Sequence, residues 1–349
     1  MCPGIHVTRL YPIYIRNIVW IQEVMPMSVP FLAYPPLWDQ MLPDGDARLA
    51  HQSFPFRMPA TLARRIDWQD ESDPLRRQFL PTAVECRQVA AYQADPLQEA
   101  GIEVCPGMLH KYAGRVLLLL SDACAVHCRY CFRRHRSSHP AAPAGLDRWH
   151  PVLDAIARDA TITEVIGSGG DPLMLSNGVL GAIFDRLSQI AHLRRLRLHT
   201  RIPLVWPERV DAGLVAWLRT LPLPMVLVLH VNHPVELADP RVVAALARLS
   251  GAGVLLLSQS VLLHGVNDRV EILGELYQRL VDLHVLPYYL HLLDPVAGAA
   301  HFAVALPDAV ALHTRLQHTL PGYLVPRLAW DAPGHPCKRI YGDDFLGGA

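Results

Sequence analysis

Three cysteines, Cys124, Cys128 and Cys131, stand in the spacing C-x3-C-x2-C just after the apolar run Val116–Leu120. Thiolates grouped in this way suit an iron–sulfur cluster, which commonly takes four cysteine ligands. A loop that supplies only three leaves one iron open. An open iron can chelate a small molecule through an amine and a carboxylate. Two other chemistries compete for the same residues. Structural zinc wants four ligands, usually as paired Cys or Cys/His units. No second pair follows, although His127 and His135 could be proposed. A redox dithiol of Cys128 and Cys131 would leave Cys124 without a use.

Such a loop needs a scaffold, and the chain supplies one. Apolar runs of strand length recur at Val116–Leu120, Glu164–Gly167, Leu196–His199, Met225–His230, Val254–Leu257 and Val285–Leu290. Amphipathic helical stretches separate them, at Gly178–Ile190, Arg209–Thr220, Arg241–Ser250 and Val270–Leu283. Strands alternating with helices imply parallel βαβ units. The expectation is an α/β fold, a partial (β/α)6-type TIM-like barrel whose strand C-terminal ends carry the chemistry. Polar groups do follow the strands: Ser168-Gly169-Gly170-Asp171, Thr200-Arg201, His230 to His233, Ser258-Gln259 and His291 to Asp294. Residues 115–330 form this barrel, and 331–349 a short C-terminal segment. Residues 1–114 are Pro-rich and read as a mostly helical segment wrapped on the barrel, with one helical pattern from Asp73 to Val89.

Bulk composition narrows the function. The 349 residues are 51% hydrophobic, enough for a large core. Lys+Arg and Asp+Glu both total 32, so no net charge is available to hold a polyanion, and nucleic acid is not an expected partner. The basic cluster Arg129, Arg133, Arg134 and Arg136 lies among the cysteines and needs another explanation. An odd total of 7 cysteines, four of them scattered at Cys2, Cys86, Cys105 and Cys337, is no disulfide framework and suits a reducing, cytoplasmic setting. The apolar stretch Ile13–Val29 is interrupted by Arg16, Glu23 and Pro26, so it fits neither a membrane span nor a secretory segment well. Translation starting at Met25 or Met27 would account for it equally.

The segments Gly107–Arg115, Cys128–His135, Gly169–Leu173, Val231–Pro234, Gln259–Leu263 and Pro287–Leu290 resemble the radical S-adenosylmethionine lysine 2,3-aminomutase family. Similarity runs from about Phe54 to Lys338. Within the family the chain is most similar to the elongation factor P β-lysylation subgroup, which shares its short C-terminus. The resemblance implies a radical SAM barrel carrying a [4Fe-4S] cluster on Cys124, Cys128 and Cys131, with S-adenosyl-L-methionine on the open iron. It implies that Gly169, Gly170 and Asp171 meet the methionine amine, and that Arg201, His230 and Gln259 line the same site. The plain alternatives are a strand-to-helix turn for the glycines and a satisfied core histidine for His230.

The same resemblance places pyridoxal 5'-phosphate on Lys338, with Lys111, Tyr112 and Arg115 around its phosphate. Cationic and hydroxyl donors in one short loop suit a phosphate monoester. Arg133 would grip the carboxylate of the substrate L-lysine, and Asp294 and Asp331 its ε-ammonium; either acid could instead be a loop or cap residue. Two acids favour a cationic side chain and repel glutamate. The implied reaction moves the amino group from C2 to C3, giving β-lysine. Implied partners are an external electron donor of flavodoxin or ferredoxin type and an elongation factor P ligase that receives the product. A metabolic lysine 2,3-aminomutase, a related aminomutase for another amino acid, and a non-catalytic metal-binding or translation-associated protein are the rivals.

Overall fold

The computed structural model describes residues 31–32, 45–136 and 146–341. Cys2, the Ile13–Val29 stretch and the alternative starts at Met25 and Met27 lie outside them. Two short strands, β1 (Phe31–Leu32) and β2 (Met58–Pro59), pair antiparallel. Every other strand among the described residues joins one ten-stranded sheet, in the order of the chain. These strands are β3 (Glu103–Cys105), β4 (Met108–Tyr112), β5 (Arg115–Ser121), β6 (Glu164–Gly169) and β7 (Arg195–Thr200), followed by β8 (Met225–His230), β9 (Leu255–Val261), β10 (Leu286–His291), β11 (Arg327–Trp330) and β12 (Arg339–Ile340). From β5 to β11 every neighbour is parallel. The antiparallel edges β3–β4 and β12 do not meet, so the barrel stays open.

Six helices connect the parallel strands: His150–Arg158, Asn177–Ser188, Ala212–Thr220, Pro240–Ser250, Val270–Asp282 and Leu306–Thr319. The partial (β/α)6-type barrel read from the sequence is therefore present, extended by a seventh parallel strand, β11. Local chemistry explains the helix starts. Ser176, Asp211 and Asp239 accept hydrogen bonds from the first-turn amides of their helices, satisfying donors that no intrahelical partner can reach. Helix Val270–Asp282 buries Val270, Leu273, Leu276, Tyr277 and Leu280, one apolar face at helical spacing. Strand β8 is apolar almost throughout, with Met225, Leu227, Val228 and Leu229 buried, whereas β7 alternates, burying Leu196 and Leu198 between Arg195, Arg197 and His199.

The expected helical pattern from Asp73 to Val89 is shorter than its periodicity suggests. Helix Pro74–Phe79 starts on the Asp73 cap and stops before Pro81, which cannot continue it; a 3-10 turn at Ala83–Cys86 follows. Phe56, Met58, Leu75 and Phe79 of this segment share one continuous hydrophobic core with Leu118, Leu198 and Leu227 of the strands. Among the described residues, no helix is long and apolar enough to cross a membrane.

Candidate active site

The C-terminal end of β5 leads directly into the cysteine loop, and the N-terminal segment holds that loop in place. The Arg129 amide donates to Gln78 O at 2.9 Å and the His127 amide to Arg57 O at 3.0 Å. The four arginines of the basic cluster are each tied to an acid. Arg129 and Arg134, both buried, share Glu85, with Nη2 atoms 2.7 and 2.6 Å from its Oε2. Arg133 clamps Glu99 bidentately at 2.8 and 2.7 Å, and Arg136 reaches Glu103 at 2.9 Å. The cluster is an internal clamp between two chain segments, which accounts for its presence in a chain without net charge.

The loop also leans on the end of β6. The Gly170 amide donates to Ser121 O at 2.5 Å and the Asp171 amide to Ala123 O at 2.8 Å. A Cβ on Gly169, whose φ is +121°, would stand 2.3 Å from Ser121 O; one on Gly170 would stand 2.4 Å from Ala123 O. Backbone-to-backbone contact alone therefore demands both glycines. Asp171 is buried and accepts from the Leu173 amide, the Thr200 hydroxyl and the Arg201 amide, so it joins the ends of β6 and β7.

The residues that the family resemblance assigns to a site line one cavity of about 850 Å³: the three cysteines, Lys111, Tyr112, Arg115, Arg133, Gly169, Gly170, Asp171, Arg201, His230, Gln259, Asp294, Asp331 and Lys338; His127 and His135 are not among its lining. The cysteines are free thiols. Burial first, then the charges of Cys131, Asp171 and Cys128, push the Cys124 thiol well above its ordinary value. Burial and Cys128 push Cys131 up to about 11. All three cysteines face the same cavity. Among the described residues no three His, Cys, Asp or Glu side chains converge closely enough to share a single metal ion. Thiolates on a cluster do not share an ion either, since each binds its own iron.

Arg201 reaches this group. Its Nη1 lies 3.1 Å from Cys128 Sγ and also donates to the Tyr130 hydroxyl; its Nη2 donates to Glu236 at 2.6 Å and Gln78 at 2.7 Å. The Tyr130 hydroxyl in turn meets His230 Nε2 at 2.9 Å. Burial, then the Arg201 charge, hold His230 well below the ordinary imidazole range, so it is neutral. Gln259 pairs with His230 in the register of β8 and β9.

Elsewhere in the cavity the hairpin β11–β12 decides the geometry. Trp330 pairs with Arg339, which sets Asp331 opposite Lys338. Lys338 Nζ donates to Asp331 Oδ2, while Lys111 Nζ, at 2.8 Å, and the Tyr112 hydroxyl donate to Oδ1. Burial alone would raise the Asp331 carboxyl, but the Lys338 ammonium and these hydrogen bonds hold it well below the usual carboxylate range. Asp294 behaves in the opposite way: burial, then the Asp331 charge, push it up to about 7.

Comparison with known proteins identifies the family. The chain is 41% identical over 305 residues to an L-lysine 2,3-aminomutase of Haemophilus influenzae, covering 86% of this chain and 90% of that one. It is 41% identical to the enzyme of that name from Escherichia coli, covering 83% and 84%. The L-lysine 2,3-aminomutase of Clostridium subterminale is 38% identical over 77% of this chain and 64% of its own length. The chain belongs to the radical S-adenosylmethionine L-lysine 2,3-aminomutase family. No family profile matches it. Among solved structures, a radical SAM methyltransferase from Sphaerobacter thermophilus overlaps it with a TM-score of 0.41 at 18% identity, covering 64% of this chain and 68% of that one. That overlap is too loose to bear weight.

The family implies a [4Fe-4S] cluster and S-adenosylmethionine, and the cavity's donor set fits them. Three clustered thiols that burial disfavours as anions are suited to partners carrying positive charge, which make thiolate the stable form. Three residues that the sequence did not bring forward also line this cavity: Glu99, His199 and Tyr289. His199 directly precedes the strand-end pair Thr200-Arg201, and that position is the signal that could have found it. Its Nε2 has no hydrogen-bond partner among the described residues. Glu99, the first residue of the short 3-10 helix Glu99–Ile102, carries no such signal.

Proposed function

We propose that this protein is an L-lysine 2,3-aminomutase, an isomerase that converts L-lysine to β-lysine with a [4Fe-4S] cluster, S-adenosyl-L-methionine and pyridoxal 5'-phosphate. One observation carries the reading. A single cavity holds the cysteine triplet, a lysine–acid pair beside phosphate-suited donors, and both an acid pair and a guanidinium for the charged groups of lysine. When bound, the cluster and S-adenosylmethionine would supply a carbon-centred radical, and pyridoxal phosphate a ring-conjugated aldehyde carbon to carry the amino nitrogen as it moves from C2 to C3.

The chain's residues bind, orient and insulate. Cys124, Cys128 and Cys131 hold three irons. Gly169, Gly170, Asp171, Arg201, His230 and Gln259 form the wall for S-adenosylmethionine. Lys111, Tyr112 and Arg115 take the cofactor phosphate and Lys338 its aldehyde carbon. Arg133 offers the substrate carboxylate the edge that Glu99 leaves, through Nη1, which otherwise makes only long contacts to Ser168 Oγ at 3.3 Å and Gly169 O at 3.2 Å. Asp294 and Asp331 take the ε-ammonium, each pair worth about 4 kcal/mol at close range before desolvation.

The product goes to elongation factor P through its ligase, in the cytoplasm, and a flavodoxin or ferredoxin supplies the electron; the similarity to the β-lysylation subgroup supports this setting. The test is anaerobic incubation of the reconstituted protein with dithionite, S-adenosylmethionine, pyridoxal phosphate and L-lysine, with L-glutamate as control. β-Lysine that disappears in Cys128→Ala and Lys338→Ala is the expected result. S-adenosylmethionine cleavage without β-lysine would sink the lysine assignment. Adding elongation factor P and its ligase then asks whether the β-lysine becomes protein-bound.

A further inference from the structure

Asp331 stands out among the cavity acids because all its side-chain donors lie on the cofactor side. Lys111 and Tyr112, both proposed for the phosphate, share its Oδ1, and Lys338 takes Oδ2. The same carboxylate is proposed for the substrate ammonium. A phosphate arriving on Lys111 and Tyr112 would sit beside Asp331 as a second anion on the same donors. Close like charges in a partly buried site repel by several kcal/mol. Lysine arriving first would have to draw Asp331 away from two ammonium groups and a hydroxyl. Asp294 then offers little by itself, because its carboxyl is half protonated near neutrality.

We propose that Asp331 is a placeholder anion, which holds the phosphate donors Lys111 and Tyr112 and turns to the substrate ammonium only when the cofactor's phosphate displaces it. Lysine binding then waits for cofactor loading. By reciprocity, lysine tightens the cofactor by the same factor. The device rests on the cofactor reading given above and deepens it. It explains why Lys111, Tyr112 and Lys338 all donate to one carboxylate, and it protects against binding lysine in a site that cannot act on it.

The probe is pyridoxine 5'-phosphate, which has the phosphate but no aldehyde and so forms no link to Lys338. Calorimetry on the full chain without oxygen should show L-lysine binding about tenfold more tightly when pyridoxine phosphate saturates the protein, the scale of one charge-assisted hydrogen bond. This arm needs no variant. Asp331→Asn should tighten pyridoxine phosphate by a similar factor, and the gain should shrink in a Lys111→Met background, where one of the two contested donors is gone. Lysine affinity that ignores pyridoxine phosphate would overturn the proposal. So would an Asp331→Asn effect that persists undiminished without Lys111, since that would reflect a general field. Pyridoxine phosphate that does not bind, together with pyridoxal phosphate that leaves no borohydride-fixed adduct on Lys338, would overturn the cofactor reading itself.

Discussion

Asp294 and Asp331 share a cavity, yet their surroundings drive them apart: Asp331 stays ionised, while Asp294 rises from 3.8 to about 7. The folded chain therefore binds a proton at Asp294 that the unfolded chain has already lost between those two values. Stability falls as pH rises through that window and levels off above about 7. Asp294→Asn should accordingly raise Tm by about 3 °C at pH 8 and barely change it at pH 4, readable by scanning fluorimetry. Lysine's ammonium must reverse the same shift, so its binding should weaken as pH drops below about 7, and at pH 6 calorimetry in buffers of different ionisation enthalpy should record proton release. A flat profile would remove Asp294 from the ammonium site. The family resemblance brought the two acids forward, but their different charge states come from the fold: burial and the Asp331 charge raise Asp294, while Lys338 and Lys111, 7 and 220 residues from Asp331 in the chain, hold Asp331 down.

The glycines show how far elements decide what a motif does. Gly170 lies where the end of β6 touches the loop before Cys124, and Gly178 lies in the first turn of the next helix, where an added Cβ would meet nothing within 4 Å. Gly170→Ala should cost about 3 kcal/mol or more, since the obstructing atom is backbone and cannot rotate away, and the damage should appear as lost iron per chain after reconstitution. Gly178→Ala should gain about 0.5–1 kcal/mol in urea denaturation and leave iron content unchanged. The sequence marks Gly170 by its strand-end motif, but the backbone contact that makes it indispensable is visible only in the fold. The same difference in visibility runs through the strands. β5 to β10 announce themselves as apolar runs between amphipathic helices, whereas β11 has four residues, begins with an exposed Arg327 and follows Pro326. It becomes a strand because β10 offers a parallel edge, which is information the local sequence does not hold. Helix Leu306–Thr319 is hidden for a related reason: His313, on its buried face, is polar, and its Nε2 meets Pro326 O at 2.8 Å.

At the scale of the whole molecule, the N-terminal segment and the cysteine loop are bound by charge as well as by apolar packing. Glu85 faces two guanidiniums, and the side chains of Glu85, Arg129 and Arg134 are all within 1% of complete burial. Replacing such a group with a well-packed apolar set can be neutral, but removing one member leaves buried charge without compensation, at a cost of about 3–5 kcal/mol. Glu85→Gln removes the only carboxylate these two arginines are paired with among the described residues, and Arg129 adjoins Cys128. The variant should therefore lose stability of that order in chemical denaturation and should also bind less iron, because the loop that presents the cysteines is released on one side. A surface pair calibrates the claim. Arg186 and Asp154 are 2.9 Å apart but about half exposed, and Asp154→Asn should change stability by less than about 0.5 kcal/mol and leave iron untouched. If Glu85→Gln behaved like Asp154→Asn, the clamp would be incidental and the loop would owe its shape to β5 and β6 alone. If it lost stability but kept its iron, the segment would support the barrel without presenting the cysteines.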